Sequence, residues 1–329
     1  MTKSNSRFSY LVDKIANAVP LSKPFDFVFI NDFLKVDDFE EIMKLKEVNV
    51  RGNDFNELKD NLSKLNYRHQ RHPGTFEHIE KYEKWRATKS YSVKEVQGTQ
   101  GVKLVEAGGC AYRLHDEPRI IQDLVDVFKS KEMENVVREK FDLLPESVDI
   151  DCGLHKYLHG YEISPHPDNR EKALTWMLNL NTCPDSHNED YHTHFLKFKE
   201  SYEYIVSIWG SIPSLQTHWV PWDWCETIFQ QRENNSISIF SPRNNSLHAV
   251  KAFYDDLEHQ RTQIYGNYWY KTPKASMTEC TYLDLDIKAN ISVKQIKYDS
   301  TWGKILRAAK HKSKLRKMEQ WIQQNFNGN

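Results

Sequence analysis

Short runs of alternating apolar and polar residues, separated by turn-forming residues, fill the chain from about residue 147 to residue 270. Alternation with a period of two is typical of strands that bury one face, and short runs at this spacing are typical of antiparallel sandwiches and barrels. The runs are DIDCGLHKYL, YEISPHPD, ALTWMLNLN, THFLKF, SISIFSP, SLHAVKA and TQIYGNYWY. The pattern therefore predicts a mainly β domain that forms a sandwich or a barrel.

Helical spacing predominates on either side of this region. The composition of residues 25–33 favours a strand, and the charged stretch 49–100 gives no assignment. Spacing over residues 300–326 predicts a helix whose remaining positions are rich in lysine and arginine, which we interpret as a solvated face rather than a contact for RNA, phosphate or an acidic partner. Three further segments have the apolar period of amphipathic helices: residues 5–18, 36–45 and 118–144.

No internal repeat and no long Pro-, Gly- or Ser-rich linker divides the chain. We therefore expect one β core with helices on both sides. The expected parts are N-terminal helices and leading strands over residues 1–146, a β core over residues 147–275, and a C-terminal extension with the basic helix over residues 276–329.

The charge balance gives no long-range attraction to nucleic acid or to an anionic membrane. Lysine and arginine number 45, and aspartate and glutamate number 46. Five cysteines lie far apart and form no Cys-x-x-Cys pair, which argues against a disulfide framework and against a thiolate zinc site. The N-terminus lacks the apolar core of a signal peptide, and no run of about eighteen apolar residues occurs. We expect a cytoplasmic protein.

The sharpest chemical signal is the hexapeptide SPHPDN at residues 164–169. On a strand, residues i and i+2 project from the same face, so His166 and Asp168 would present an imidazole and a carboxylate side by side. His248 lies on another predicted strand, and closure of the sheet would bring it near them. Two imidazoles and one carboxylate on one face of an octahedron suit iron(II) and leave positions open for a bidentate co-substrate and oxygen. Alone, the His-x-Asp pair also fits an ordinary surface turn.

A second signal is Arg261, which opens the run RTQIYGNYWY. An arginine inside a barrel needs an anionic partner, and its planar guanidinium matches a carboxylate in two parallel hydrogen bonds. The far carboxylate of 2-oxoglutarate would be such a partner, and Gln263, on the same face by strand alternation, would add a hydrogen bond. The alternative is a surface salt bridge with one of three nearby acidic residues, Asp255, Asp256 and Glu258.

Residues 173–181 alternate between two faces. The apolar face holds Leu174, Trp176, Leu178 and Leu180. The more polar face holds Thr175, Met177, Asn179 and Asn181. A small barrel with a polar lumen and an apolar exterior under helices would produce this split, and so would a two-layer sandwich.

The order of these motifs resembles that of the Fe(II)/2-oxoglutarate-dependent dioxygenases, most closely their prolyl-hydroxylase-like branch. The segment FDFVFINDFLKVDDFEEI is also similar to the entry strand and following helix of that branch. The resemblance covers residues 150–272 and, more weakly, residues 25–45. It is carried by Tyr157, the segment His166-Pro-Asp168-Asn169, the strand ending in LNLN, His248 and Arg261.

This resemblance implies a fold and a set of site residues. The implied fold is a double-stranded β-helix, a jelly-roll or cupin-like core with flanking α-helices, in which residues 147–275 form the catalytic core. The implied ligands of Fe(II) are His166, Asp168 and His248. The implied contacts of 2-oxoglutarate are Arg261, Tyr157, Asn179 and Gln263. Gln263 departs from the family, which commonly has a small hydroxyl residue at that position.

The resemblance also implies a dioxygenase activity. Such an enzyme uses 2-oxoglutarate and O2 to hydroxylate, desaturate or cyclise an unactivated C–H bond, and the presence of Asp168 favours hydroxylation over chlorination. The expected substrate is a small molecule, an amino acid or a peptide, and the sequence predicts no oligomeric state. Two alternatives stay open: a β-barrel that binds a sugar or peptide without redox chemistry, and a cupin-type enzyme with another metal such as zinc or manganese.

Two other clusters of candidate residues deserve an interpretation. His192 and His194 would make a second metal-binding pair, with His187 or His218 as a third ligand, but the favoured interpretation is that they are surface histidines without a metal. Four tryptophans lie between residues 209 and 224, in the insertion between the second and third predicted iron ligands, and three of them would either contact substrate or pack the insertion onto the barrel. They are Trp219, Trp222 and Trp224.

Overall fold

The computed structural model of the chain describes residues 7–71, 75–88, 109–145, 147–212 and 219–271. All of these belong to the first of the two units into which the chain divides, residues 1–275. The predicted C-terminal extension with its basic helix lies outside the described residues. No helix in the part of the chain that is described combines the length and the apolar character needed to cross a bilayer.

Helices dominate the N-terminal half of the described chain and strands the C-terminal half. The α-helices are α1 (Tyr10–Asn17), α2 (Val36–Met43), α3 (Phe55–Lys64), α4 (Ile79–Thr88), α5 (Arg119–Lys129), α6 (Lys131–Phe141) and α7 (Tyr204–Ser211). The strands are β1 (Val28–Ile30), β2 (Tyr67–Gln70), β3 (Ala111–Leu114), β4 (Val148–Tyr157), β5 (Tyr161–His166), β6 (Lys172–Asn179), β7 (Thr193–Phe198), β8 (Cys225–Gln231), β9 (Ile237–Phe240), β10 (His248–Ala252) and β11 (Arg261–Tyr270). Short 3-10 helices cover Ser186–Asn188, Glu200–Tyr202 and Trp222–Trp224.

The strands form two antiparallel sheets. The larger has the order β1-β9-β6-β11-β4-β3-β2, and the smaller has the order β5-β10-β7-β8. From β4 to β11 the chain passes back and forth between them: β4, β6, β9 and β11 belong to the larger sheet, and β5, β7, β8 and β10 to the smaller. This alternation is that of a double-stranded β-helix. The predicted fold class, mainly β with flanking α-helices around such a core, is confirmed.

Strand β6 shows how the sequence pattern separates the inside of the core from the outside. Trp176 points outward, where its ring stacks on Phe128 of α5 with centroids 5.0 Å apart and planes 9° apart. Its neighbours Thr175 and Met177 point inward, to a buried carboxylate and to a cluster of phenylalanines respectively. The predicted split between a lumen face and a helix-covered face is therefore correct.

Phenylalanines fill part of the space between the two sheets. Phe27, beside β1, stacks on Phe195 of β7 with ring centroids 4.8 Å apart, and Phe25 packs edge-on to Phe240 of β9 at 5.5 Å. Because these rings come from both sheets and are almost fully buried, they hold the sheets together by apolar contact. The ring of His248 lies at the edge of this cluster, 5.0 Å from that of Phe240.

Two predicted elements differ from the structure. The single helix predicted over residues 118–144 is two helices, because Ser130 has extended backbone dihedrals and its hydroxyl caps α6 by accepting a hydrogen bond from the Met133 N–H at 3.1 Å. The strand predicted over residues 25–33 is shorter, since only Val28–Ile30 pairs in a strand, with β9.

Strand β8 is absent from the sequence prediction. It is the last strand of the smaller sheet and pairs with β7 alone. Residues 226–228 are consecutively exposed, so the run CETIFQQ has none of the alternation that reveals a half-buried strand. The insertion that contains the tryptophans therefore also supplies a strand of the core.

Close approach of Trp176 to β11 predicts that Gly266→Ala destabilises the fold. A Cβ at position 266 would lie 2.2 Å from the Trp176 ring and 2.6 Å from the Cys152 Cβ. Because overpacking a core costs about 1–3 kcal/mol, we expect the free energy of unfolding to fall by about that amount in urea denaturation.

Gly210→Ala on α7 is the matched control. Its added Cβ would meet nothing closer than 3.4 Å, and alanine is the better helix former, so stability should stay the same or rise. A Gly266→Ala protein as stable as the unaltered chain would contradict the close packing of Trp176 on β11.

Candidate metal centre

Strand pairing brings the two predicted histidine ligands together. His166 is the last residue of β5 and His248 the first of β10, and the antiparallel register places them directly opposite each other. Their ring centroids are 4.4 Å apart. Asp168 lies two residues beyond the end of β5, in the turn to β6, rather than on the strand as the pattern indicated. Pro167 follows the strand, and a proline has no N–H with which to continue the ladder.

The three predicted ligands form one buried group. Asp168 Oδ1 lies 4.0 Å from His166 Nε2, and Asp168 Oδ2 lies 3.9 Å from His248 Nε2. One ligand atom from each residue falls within 4.8 Å of the others. The side chains are each less than a tenth exposed, so a cation among them would be shielded from bulk water.

Backbone carbonyls orient both imidazoles toward this group. His166 Nδ1 donates to the Ser164 carbonyl at 2.8 Å, and His248 Nδ1 donates to the Ser246 carbonyl at 3.1 Å. With the proton on Nδ1, the lone pair of each ring is on Nε2, the atom that faces Asp168. Metal-binding histidines commonly have such a second hydrogen bond, which sets the tautomer and the ring orientation.

Burial keeps these imidazoles neutral. Burial and then the neighbouring His248 lower the pKa of His166 to about 3, and burial likewise lowers the pKa of His248. Asp168 differs: burial would raise its pKa, but the ammonium of Lys172 holds the pKa well below its usual range. Neutral imidazoles and an ionised carboxylate are the forms that bind a divalent cation.

Two residues that the sequence analysis did not identify hold the carboxylate of Asp168. Lys172 Nζ lies 2.7 Å from Oδ1 and donates a second hydrogen bond to the Tyr265 hydroxyl at 2.8 Å. The Thr175 hydroxyl donates to Oδ2 at 2.6 Å. Each carboxylate oxygen therefore has a donor and a defined direction. One sequence feature indicates this contact: a lysine lies four residues after Asp168, at the start of a strand whose other residues are largely buried.

The donor set fits a transition metal. Two imidazole nitrogens and one carboxylate oxygen suit Fe(II) and leave coordination positions free, and the same set also accepts Mn(II) or Zn(II). The hydrogen bonds to both Nδ1 atoms and to both oxygens of Asp168 leave the Nε2 atoms directed at one common space. These residues therefore fit a metal ion.

Arg261 is a buried cation at the start of β11. It pairs in register with Tyr157, its guanidinium lies over the Tyr157 ring at 4.5 Å, and its Nη2 donates to the Thr193 hydroxyl at 3.0 Å. The side chain is 2% exposed. Burial lowers the pKa of Arg261, and nearby tyrosines act in the opposite direction.

The surface salt bridge considered for Arg261 does not form. Asp256 pairs instead with Arg86, at 2.6 and 2.8 Å. Among the residues that the structure describes, no carboxylate lies within ion-pair distance of Arg261. A buried charge without a partner is costly, so this arrangement favours an anionic ligand at the guanidinium.

Asn179 and Gln263 are neighbours but bond to each other. Gln263 Nε2 donates to Asn179 Oδ1 at 2.7 Å. The Asn179 amide donates to the carbonyls of Gln231 and Glu233, both at 3.1 Å. These contacts tie β6 and β11 to the turn after β8, and the role of both amides as co-substrate contacts stays a prediction.

The tryptophans of the insertion were predicted either to contact substrate or to pack the insertion onto the barrel, and they do not all have the same surroundings. Trp219 lies beside the metal centre, with its ring 6.3 Å from that of His166. Trp222 donates to the carboxylate of Glu162 at 2.9 Å, and Trp224 stacks on Tyr202 at 4.7 Å. The last two pack the insertion onto the core.

The second histidine pair does not form a metal site in the described residues. The two groups of potential metal ligands found there contain neither His192 nor His194. His194 bonds to Thr227 and Gln230, and His218 lies outside the described residues. The favoured interpretation placed both histidines on the surface, which is wrong for His192, because its side chain is buried.

Comparisons with known proteins find similar solved structures only. No protein-family model matches the chain. No curated protein matches it either. Similar solved structures include a prolyl-4-hydroxylase from Pseudomonas putida, 12% identical with a TM-score of 0.32, which covers 65% of this chain and 97% of its own.

Two further solved structures have comparable values. A prolyl hydroxylase from Trichoplax adhaerens, in complex with a hypoxia inducible factor peptide, is 12% identical with a TM-score of 0.32 over 73% of this chain and 96% of its own. HygX from Streptomyces hygroscopicus, with nickel and 2-oxoglutarate bound, is 10% identical with a TM-score of 0.29 over 67% and 88%. Because these identities and TM-scores are low, we assign the fold of this chain from its own strand order alone.

Contacts of Asp168 predict opposite effects of two substitutions on metal affinity. Lys172→Met removes an ammonium that repels a divalent cation and pairs with its ligand, so we expect Mn(II) to bind at least about tenfold more tightly. Thr175→Val removes a hydrogen bond that orients the carboxylate, so we expect binding weaker by about 10- to 100-fold. Isothermal titration calorimetry with Mn(II) measures both.

Lys172→Arg, which keeps the charge, is the control and should bind Mn(II) as the unaltered chain does. If Lys172→Met instead weakens the binding, the ammonium is required to hold Asp168 in place and does not compete with the cation.

Proposed function

We propose that this chain is an Fe(II)- and 2-oxoglutarate-dependent oxygenase that oxidises an unactivated C–H bond. One observation carries the proposal: the same barrel buries a group of two neutral imidazoles and one carboxylate, from His166, His248 and Asp168, and a guanidinium, from Arg261, that has no carboxylate partner in the described residues. A metal ion would bind to the two imidazoles and the carboxylate, and one end of a dicarboxylate would pair with the guanidinium.

Strand register supports a single ligand that reaches from the metal centre to Arg261. Arg261 donates to Thr193, and Thr193 lies opposite Val250, two residues along β10 from His248. Two residues of a strand span about 7 Å. A short dicarboxylate such as 2-oxoglutarate has its two ends at a comparable separation, so one end would reach the metal and the other Arg261.

When bound, iron would supply the activation of O2 and of the 2-oxo acid. The chain's own residues have binding and orienting roles. Lys172 and Thr175 hold the carboxylate of Asp168, and carbonyl hydrogen bonds hold both imidazoles. Arg261, fixed over the Tyr157 ring, binds the far carboxylate. The phenylalanine cluster beside His248 excludes water from that side.

We propose a small molecule, an amino acid or a peptide as substrate, and hydroxylation as the favoured reaction. Trp219, beside His166, is the aromatic side chain that we expect to contact it. The dispersed cysteines fit a reducing compartment, which supports the proposed cytoplasmic location.

Anaerobic addition of Fe(II) and 2-oxoglutarate tests the proposal. A 2-oxo acid that chelates Fe(II) gives a visible charge-transfer band, which we expect from the unaltered chain and not from His248→Ala, because that variant lacks one of three ligands. His194→Ala, a histidine outside the group, is the control and should keep the band.

Two results would favour other functions. Binding of Zn(II) or Mn(II) with no band in the presence of Fe(II) and 2-oxoglutarate would favour a cupin-type enzyme with another metal. No metal bound, and no succinate formed from 2-oxoglutarate under O2, would favour a non-redox binding barrel.

Arg261→Gln should separate co-substrate binding from metal binding. A hydrogen bond to a charged group contributes about 1.5–3 kcal/mol, so we expect the affinity for 2-oxoglutarate to fall about 10- to 100-fold. Mn(II) affinity in the absence of 2-oxoglutarate should not change, because Arg261 is not a proposed ligand. Calorimetric titration of the Mn(II)-loaded protein measures this.

Arg119→Gln, on the exposed face of α5, is the matched control. Equal 2-oxoglutarate affinity in the Arg261→Gln protein and the unaltered chain would remove Arg261 from the co-substrate site.

A further inference from the structure

A second group of metal-ligand atoms lies near the start of β11. It consists of the Cys183 thiol, the Glu189 carboxylate and the His259 imidazole, and one ligand atom from each lies within 4.8 Å of the others. The three residues are partly buried. None of them belongs to the metal centre described above.

Backbone contacts hold the two segments that carry these residues against each other. The Gln260 N–H donates to the Thr182 hydroxyl at 3.1 Å, and the Leu180 N–H donates to the Thr262 carbonyl at 2.9 Å. The Thr262 N–H in turn donates to the Asn181 side chain at 3.0 Å. Cys183 follows directly after one segment and His259 directly precedes the other, so the paired backbone brings them together.

Two consecutive turns bring Glu189 back toward Cys183. The Ser186 N–H donates to the Cys183 carbonyl at 3.2 Å, and the Glu189 N–H donates to the Ser186 carbonyl at 3.1 Å. A short 3-10 helix, Ser186–Asn188, occupies the interval. The carboxylate therefore reaches the thiol from a backbone that is already ordered, which lowers the entropic cost of binding an ion there.

One polar atom of this group and one beside it lack hydrogen bonds within the described residues. His259 Nε2 is buried and has no hydrogen-bond partner among the described residues, although the Glu189 carboxylate lies 3.3 Å away. The buried Tyr191 hydroxyl, whose ring is 6.2 Å from that of His259, also has none in the described part of the chain. Buried polar atoms in native proteins are nearly always satisfied, by protein, water or an ion.

Local charge favours a cation. Within the described ranges, no lysine or arginine lies at ion-pair distance from Glu189, whose partner there is His259. The carboxylates of Glu189 and Asp185 both lie near the Cys183 thiol and give this place a negative potential. A divalent ion would offset this negative potential and bind the thiolate.

We propose that Cys183, Glu189 and His259 form a Zn(II) site. Thiolate, imidazole and carboxylate are all zinc ligands, and the thiolate selects Zn(II) over hard cations such as Mg(II). Three protein ligands leave one tetrahedral position, which water occupies at this partly exposed place. On binding, the Cys183 thiol releases its proton to solvent.

The ion supports the proposed co-substrate arginine. His259 is two residues before Arg261, whose backbone N–H donates to the Tyr254 hydroxyl at 2.9 Å. Tyr254 packs edge-on to Tyr191 with ring centroids 4.7 Å apart, and Tyr191 follows Glu189 by two residues. Zn(II) therefore joins two segments that flank the start of β11.

Cobalt(II) titration of the full chain, stripped with a chelator, distinguishes this site from the first. A thiolate ligand gives Co(II) a strong near-ultraviolet charge-transfer band, and the site of His166, Asp168 and His248 has no thiolate. We expect the band from the unaltered chain and from His166→Ala, and its loss in Cys183→Ser. Cys225→Ser is the matched control and should keep it.

Zinc(II) provides an independent readout. Native mass spectrometry should show one further Zn(II) on the unaltered chain than on Cys183→Ser. Glu189→Gln and His259→Gln, which preserve the thiol, should each weaken Zn(II) binding at this site at least about tenfold. A thiolate band that persists in Cys183→Ser, its absence from the unaltered chain, or equal Zn(II) content in both proteins would overturn the proposal and leave an adventitious ion only.

Discussion

The antiparallel pairing of β5 with β10 is the contact on which the metal centre depends. It sets His166 opposite His248, although 81 residues lie between them in the sequence. A slip of one residue in this register would turn one of the two imidazoles to the other face of the sheet. Strand β10 also pairs with β7 on its other side, whereas β5 is the edge strand of the smaller sheet, so the register depends on β10 being held between two neighbours. The same strand pairing therefore builds the smaller sheet and places the two histidines of the metal centre.

The core contains two buried cationic side chains, and only one of them has a carboxylate partner in the described residues. Lys172 is buried and neutralises Asp168, whereas Arg261 is buried against an aromatic ring and a hydroxyl without a carboxylate in the described residues. Breaking a buried pair or leaving one charge alone is expensive. The first cation is thus satisfied by the protein, and the second is the natural place for a ligand's negative charge. The phenylalanine cluster lies beside this polar region, with Phe240 next to His248.

Sequence periodicity predicts the parts of this fold in which one face of a strand is buried. The runs that became β4, β6, β7 and β11 alternate clearly, and the His-x-Asp motif with a distant histidine and arginine indicated the residues that the structure gathers. What it missed depends on tertiary contacts. An exposed edge strand such as β8 has no alternation, and a lysine at a strand start carries no sign that it will meet Asp168. The argument against a thiolate zinc site considered cysteine pairs, and could not see that paired backbone segments would bring one cysteine to a glutamate and a histidine.

Alternation along β6 links the two sides of the larger sheet. Trp176 lies under helix α5, and Thr175, the adjacent residue, holds the carboxylate of Asp168. A substitution of Phe128 that let the tryptophan ring settle differently would therefore shift the threonine hydroxyl on the opposite face. Substitutions in the outer helices are therefore restricted by the position that Thr175 must keep in the interior. Homologues that replace Phe128 or Trp176 should also carry a compensating substitution beside the aspartate.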